Sequence, residues 1–323
     1  MQAIVCEKYG PPEALQLREL EKPIPKEGEV LLRVHAASVN PADWHLIRGA
    51  PFLARMSAGL LKPKDTRVGS DLAGRVEAVG GNVTQFQPGA EVFGLASGSF
   101  AEYAIAPEVR LVPKPVNTSS EAAAAVPLAA LTALQGLRDK GQIAPGKKVL
   151  INGASGGVGA FAVQIAKSFG AEVTGVCSTR NVDLVRSIGA DHVIDYTKED
   201  FTRNGQRYDL IFDAVGNHSV SDRMRALTPQ GICVVAGFGG MSRLIGVALL
   251  GRLTSRKGGR RISLMLMKPN HEDLIFLKGL LEAGKLVAVI DRRYTLNEVP
   301  QAIRYLEGGH ARGKVIISVE NPS

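Results

Sequence analysis

Between an apolar run at residues 149–151 and a stretch with helical spacing lies Ala154-Ser155-Gly156-Gly157-Val158-Gly159. Residues this small permit a tight turn, close approach of the backbone to a pyrophosphate, and close contact between a helix and the strand before it. The helix N-terminus adds unpaired amides and a partial positive charge. Val158, Phe161, Ile165 and Phe169 supply the apolar positions of that helix. No other feature constrains the chain as much, because strand, glycine loop and helix in this order demand a βαβ unit in a parallel sheet. The surrounding chain has the same grammar. Strands are expected over 148–152, 171–177, 191–196, 209–216 and 232–238, alternating with helices over 158–169, 181–188 and 219–227. Alternation of this kind gives an α/β domain with a doubly wound parallel sheet.

The dinucleotide follows from the end of the second strand, about twenty residues past the loop, where a carboxylate would take the ribose hydroxyls of NAD. The sequence there is Cys177-Ser178-Thr179-Arg180-Asn181, with no acidic residue before Asp183. Ser178 and Thr179 can donate to a phosphate, and Arg180 adds a fixed charge with a fork of donors. The cofactor expected is therefore NADP(H), the alternative being that Arg180 is a solvated residue opening the next helix. Tyr196, at the end of the third strand, is a second candidate for the adenosine phosphate end, or a packing aromatic.

At 323 residues the chain suits two domains. The N-terminal third is β-rich, with short strands expected at 29–40, 72–80 and 101–107 between Pro and Gly punctuation. After it, Ser120 opens an alanine-rich helix. The tail returns to mixed elements, with helices over 271–285 and 296–309 and a closing strand over 314–319. That tail is expected to fold back and give the first region its missing partner.

Composition excludes several classes. Cys6, Cys177 and Cys233 are too widely spaced for a disulfide framework or a thiolate zinc cage, and are read as buried free thiols. No apolar run spans a bilayer, and residues 1–10 lack the charged start and apolar core of a leader, so the cytoplasm is the default compartment. The formal net charge of +8 is concentrated in one place. No carboxylate occurs between Arg223 and Glu272, while Arg243, Arg252, Arg256, Lys257, Arg260, Arg261 and Lys268 fall within that stretch. The basic, apolar insert at 243–261 has three readings: a lid or subunit contact, a patch for anionic membrane, or a nucleic-acid patch. The last is disfavoured because no aromatic residue is interleaved to stack bases, so no specific nucleic acid is expected.

Over essentially its whole length the chain resembles the medium-chain dehydrogenase/reductase superfamily and, within it, the zinc-independent quinone oxidoreductase-like branch. The matching stretches are "EVLLRVHAASVNPADWHLIRG" (29–49), "GSDLAGRVEAVG" (69–80), "FAEYAIAP" (100–107), "VPLAALTALQGL" (126–137), "ASGGVG" (154–159), "CSTRN" (177–181), "GADHVIDY" (189–196) and "ARGKVII" (311–317). The resemblance implies a GroES-like catalytic domain at 1–122, completed by 270–323. It also implies a Rossmann NADP-binding domain at 123–269, a cleft holding the nicotinamide, and a homodimer. Asn40 stands where zinc-dependent members carry a metal-ligating cysteine, and Ser70 where they carry a histidine. His35 and His45 lie nearby without a second soft ligand and are read as ordinary histidines, so no metal is expected.

Without a Lewis acid the chemistry must need less electrophilic help, which points to quinones or to the C=C bond of α,β-unsaturated carbonyl compounds. Asn40, Asp43 and Ser70 are the candidate catalytic residues. Asn40 and Thr132 are candidate cofactor contacts together with Ala154, Ser155, Gly156, Gly157, Val158, Ser178, Thr179, Arg180, Tyr196, Gly216 and Lys314. For Asn40, Asp43, Ser70 and Thr132 the alternative is a turn or cap role, which their residue types favour in any case. A competing function is a catalytically weak NADPH-binding protein that docks to a membrane or partner through 243–261.

Overall fold

The computed structural model describes residues 1–50, 55, 59–237, 246–247 and 259–319. It divides into two compact units, Met1–Ala129 with Pro269–Ser323, and Ala130–Lys268.

In the first unit β1 (Gln2–Val5) and β2 (Gln16–Glu19) form a small antiparallel pair. The spine is β3 (Glu29–Val39), a β-branched run in which Val30, Leu32 and Val34 are fully buried. It leads through Asn40 into α1 (Pro41–Arg48). Pro41 suits the first helical position, where its missing N–H costs nothing. β4 (Asp71–Val79), β5 (Glu91–Leu95), β6 (Tyr103–Pro107) and β7 (Leu111–Pro113) follow. β4 and β6 both pair with β3, β5 pairs with β4, and β7 pairs with β5, all antiparallel. α2 (Ser120–Ala124) starts at Ser119, whose hydroxyl accepts from the Ala122 amide at 3.2 Å. α3 (Pro127–Gln135) carries the chain to the second unit.

There the elements alternate: β8 (Lys148–Asn152), α4 (Gly157–Ser168), β9 (Glu172–Cys177), α5 (Val182–Ser187), β10 (His192–Asp195), β11 (Tyr208–Asp213), α6 (Val220–Arg225), β12 (Leu227–Val235) and β13 (Arg261–Leu264). The strands pair in the order β10-β9-β8-β11-β12-β13, every pair parallel. Their near-continuous apolar character fits strands buried on both faces. The sheet grows outward from β8 to β10, then resumes on the other side of β8 with β11. That reversal makes the C-terminal ends of β8 and β11 the switch point where open α/β sheets bind ligands.

The chain then returns to the first unit with α7 (His271–Glu282), β14 (Ile290–Thr295), α8 (Val299–Glu307) and β15 (Lys314–Ser318). β15 pairs antiparallel with β3, Val315 opposite Val39, and β14 pairs parallel with β15. The tail thus completes the first sheet, as its sequence leads one to expect. Ile4, Val39, Ile47, Phe100, Val299, Ile303, Val315 and Ile317 form one core that only the two chain ends together can build. All three cysteines are free and buried.

Candidate functional site

In the second unit the turn between β8 and α4 is made by Gly153, Ala154, Ser155 and Gly156. Gly153 has φ +84°, and a Cβ there would stand 2.6 Å from Val215 Cγ2. At Gly159 a Cβ would run into the carbonyl oxygen of Gly153, so glycine is what lets α4 lie against the loop. The tight-turn position of the fingerprint therefore falls on Gly153, one residue before the Ala154 that the sequence suggests. Ala154 is fully buried, and its amide donates to the Val176 carbonyl at 3.0 Å. It packs beneath the loop. Gly157 and Val158 open α4 and have no intrahelical acceptors for their amides. The crowding at Gly159 and these first-turn amides fit the diphosphate of a dinucleotide.

Beyond β9, Asn181 joins two loops. It is buried, and its Nδ2 donates to Ser155 Oγ at 3.0 Å and to Ser178 Oγ at 3.2 Å. Thr179 and Arg180 are exposed on the same turn. Tyr196 is 61% exposed, and its amide donates to the Cys177 carbonyl at 3.0 Å, which sets it beside that turn. Sequence alone misses Asp195, which closes β10 opposite Cys177. Thr179 Oγ1 donates to Asp195 Oδ2 at 2.5 Å, and Thr197 Oγ1 donates to Asp195 Oδ1 at 2.7 Å. The Thr179 hydroxyl, with the hydroxyl and amide of Thr197, holds the Asp195 carboxyl down at about 2.

At the switch point Asn152 Nδ2 donates to Asp213 Oδ1 at 2.8 Å and to Asn217 Oδ1 at 3.1 Å. Asp213 Oδ1 also accepts from the amides of Val215 and Gly216, at 3.1 and 2.9 Å. Its other oxygen takes Arg223 Nε at 2.7 Å in an ion pair whose two side chains are each 1% exposed. This pair fixes the loop that carries Gly216, itself at φ +75°. Thr132 lies half-buried on α3.

In the first unit, four elements deliver polar side chains to one buried cluster: the end of β3, the start of α1, the start of β4 and the start of β15. The Asn40 side chain is 1% exposed and wholly engaged. Its Nδ2 donates to the Ser38 carbonyl at 3.3 Å and to Asp71 Oδ2 at 2.9 Å, and its Oδ1 accepts from Lys314 Nζ at 2.6 Å. Asp71 is fully buried and also accepts from the Ser38 hydroxyl at 2.8 Å and, through Oδ1, from the Leu128 amide at 2.9 Å. Lys314 Nζ lies 3.5 Å from Asp71 Oδ2, and burial pushes its pKa down. Asp43 caps α1, its Oδ2 accepting from the Asn40 amide at 2.7 Å. Its Oδ1 is buried with no hydrogen-bond partner among the described residues. Burial raises this carboxyl to about 7, against the pull of the Asn40 amide and of Lys314. The half-buried Ser70 hydroxyl also favours the charged form, but completes no hydrogen bond to Oδ1.

The cluster brings together Asn40, Asp43, Ser70 and Lys314, while Asp71 and Ser38 are additions that the sequence did not mark. A carboxylate at the start of a strand next to Ser70 was the available signal. Since both amide protons of Asn40 point into the protein, its side chain organises the cluster and does not present a donor outward. His35 Nδ1 faces Glu91 at 3.7 Å and His45 Nδ1 lies 2.9 Å from the Ala50 carbonyl. Among the described residues no three His, Cys, Asp or Glu side chains are grouped to hold a metal ion, and no helix is long and apolar enough to cross a membrane. The insert 243–261 lies outside the described residues apart from 246–247 and 259–261.

Two family models match the chain: alcohol dehydrogenase GroES-like domain over residues 26–116, and zinc-binding dehydrogenase over 188–317. The chain is 33% identical to a chloroplast envelope quinone oxidoreductase homolog of Arabidopsis thaliana, covering 98% of both chains. It is 35% identical to an NADPH-dependent alkenal/one oxidoreductase of the same plant, covering 98% of this chain and 79% of that one. Among solved structures, the quinone oxidoreductase from Coxiella burnetii superposes with a TM-score of 0.86 at 32% identity, covering 99% of each chain.

Proposed function

The chain belongs to the medium-chain dehydrogenase/reductase superfamily, in its quinone oxidoreductase-like branch, and from that premise we propose that it works without zinc. It is an NADPH-dependent oxidoreductase that reduces quinones or the C=C bond of α,β-unsaturated carbonyl compounds. One observation carries the zinc-free reading. The Asn40 side chain, at a position where zinc-dependent members hold the metal, spends every donor and acceptor on Ser38, Asp71 and Lys314.

Bound NADPH supplies the hydride. In a conjugated acceptor the developing charge spreads over an enolate or quinol, which a few hydrogen-bond donors can stabilise, whereas a saturated carbonyl would concentrate it on one oxygen. In this reading Ser155, Gly156, Gly157 and Val158 hold the diphosphate, with Ala154 packed beneath them. Ser178, Thr179 and Arg180 receive the 2′-phosphate, Tyr196 the adenosine end, and Thr132 and Gly216 further parts of the cofactor. Asn40 and Lys314 act as a positioning pair, and Asp43 and Ser70 are the polar groups offered to the reacting end. Homodimeric assembly, cytoplasmic residence and contact of the basic insert with anionic membrane belong to the same proposal. Sedimentation velocity, fractionation and vesicle flotation test them.

The chemistry is tested with deuteride-labelled NADPH and a short enone. The label should appear on the β-carbon with the carbonyl intact, and saturated aldehydes should react far more slowly. Label on the carbonyl carbon would sink the proposal.

A further inference from the structure

We infer that Asp195 sets how far the protein prefers NADPH over NADH, and that it holds this preference down by taking the Thr179 hydroxyl proton away from the phosphate-binding turn. The inference rests on the reading that the turn carrying Ser178, Thr179 and Arg180 receives the 2′-phosphate, and it changes the part of Thr179 on that turn from donor to acceptor.

Asp195 ends β10 in register with Cys177, the last residue of β9, so its carboxylate stands one strand away from the turn. Thr179 Oγ1 gives its proton to Asp195 Oδ2 at 2.5 Å. Thr197 fills the other oxygen with its hydroxyl at 2.7 Å and its amide at 3.0 Å. A hydroxyl has one proton to give. With both protons committed to the carboxylate, the 3.1 Å contact between the two threonine oxygens leaves Thr179 with lone pairs only. An acceptor of that kind suits a ribose 2′-hydroxyl, which donates, and opposes a phosphate dianion, which does not. Lys198 Nζ, at 3.5 Å from Asp195 Oδ2, offsets part of the negative charge and is itself exposed. Arg180 on the turn attracts a phosphate while Asp195 repels it, and the balance between them is the selectivity. The end of β9 lacks the carboxylate that marks an NAD site, yet the fold delivers one from the neighbouring strand.

The test measures dissociation constants for NADPH and NADH, by cofactor fluorescence, in the parent protein and in Asp195→Asn, Arg180→Ala and Thr179→Val. Asp195→Asn should raise the NADH-to-NADPH ratio of dissociation constants by about tenfold at low ionic strength, the scale of removing one exposed charge beside a dianion. That gain should shrink at about 1 M salt, where the Debye length is only a few ångströms. Thr179→Val removes the oxygen that would accept from a ribose 2′-hydroxyl, so it should weaken NADH more than NADPH; a larger loss for NADPH would mean that Thr179 donates to the phosphate and would overturn the inference. Arg180→Ala should lower the ratio. If Arg180→Ala weakens NADPH selectively but Asp195→Asn leaves the ratio fixed, or weakens both cofactors equally, the role given to Asp195 is wrong while the phosphate assignment stands. If neither variant moves the ratio, the phosphate assignment itself fails.

Discussion

Asp43→Asn should stabilise the protein at neutral and alkaline pH and have little effect in acid. Asp43 is 2% exposed, with one oxygen on the Asn40 amide and the other without a partner among the described residues. Burial lifts the carboxyl from 3.8 to about 7, Asp71 adds to the rise, and the Asn40 amide and Lys314 oppose it. Between those two values the folded protein keeps a proton that the unfolded chain has released. Stability therefore falls as pH rises through the window, and above about pH 7 the whole cost is present. At about 1.4 kcal/mol per pH unit, a window of about three units amounts to ~4 kcal/mol. Asparagine cannot ionise, yet keeps an oxygen for the Asn40 amide. Urea unfolding of parent and variant across the range from about pH 4 to about pH 8 should show their stability difference widening by ~4 kcal/mol in favour of asparagine. Groups common to both proteins drop out of that difference. A gap that stays constant with pH would refute the reasoning, because it would mean that Asp43 titrates alike in both states.

Asn40→Ala removes a buried side chain that bridges a carboxylate and an ammonium, and should lower stability by about 1.5–3 kcal/mol in thermal unfolding, the scale of hydrogen bonds to charged groups. NADPH titration of the same variant should still show binding, since the glycine loop belongs to the other unit; an unchanged melting temperature would mean the cluster is not held by this amide. Gly159→Ala forces α4 off the Gly153 carbonyl and should cost about 1–3 kcal/mol of stability, with NADPH affinity reduced in a fluorescence titration. Activity should survive exhaustive chelation, and elemental analysis should find substoichiometric zinc; zinc lost together with activity would overturn the metal-free reading.

Local pattern made much of this protein legible. Small residues between an apolar strand and an amphipathic helix mark the loop proposed to hold the cofactor, because backbone crowding and helix-end amides are properties of a few consecutive residues. Alternating strands and helices specify the parallel sheet for the same reason. The tail's return to β3 could also be anticipated, since a β-rich region with an unpaired strand needs a partner. What the sequence left hidden are encounters between residues far apart in it. Asn40, Asp71 and Lys314 meet only because β3, β4 and β15 lie side by side in one sheet. Until then Asn40 reads as a catalytic and cofactor-contact candidate, or as a turn-former, and nothing local shows that its amide is spent inside the protein. Nothing local singles out Asp195 until parallel pairing of β9 with β10 sets it opposite Cys177, within reach of Thr179. Propensity and spacing act over a few residues, whereas a hydrogen bond depends on where two side chains end up in space. Only strand register in the tertiary structure decides that.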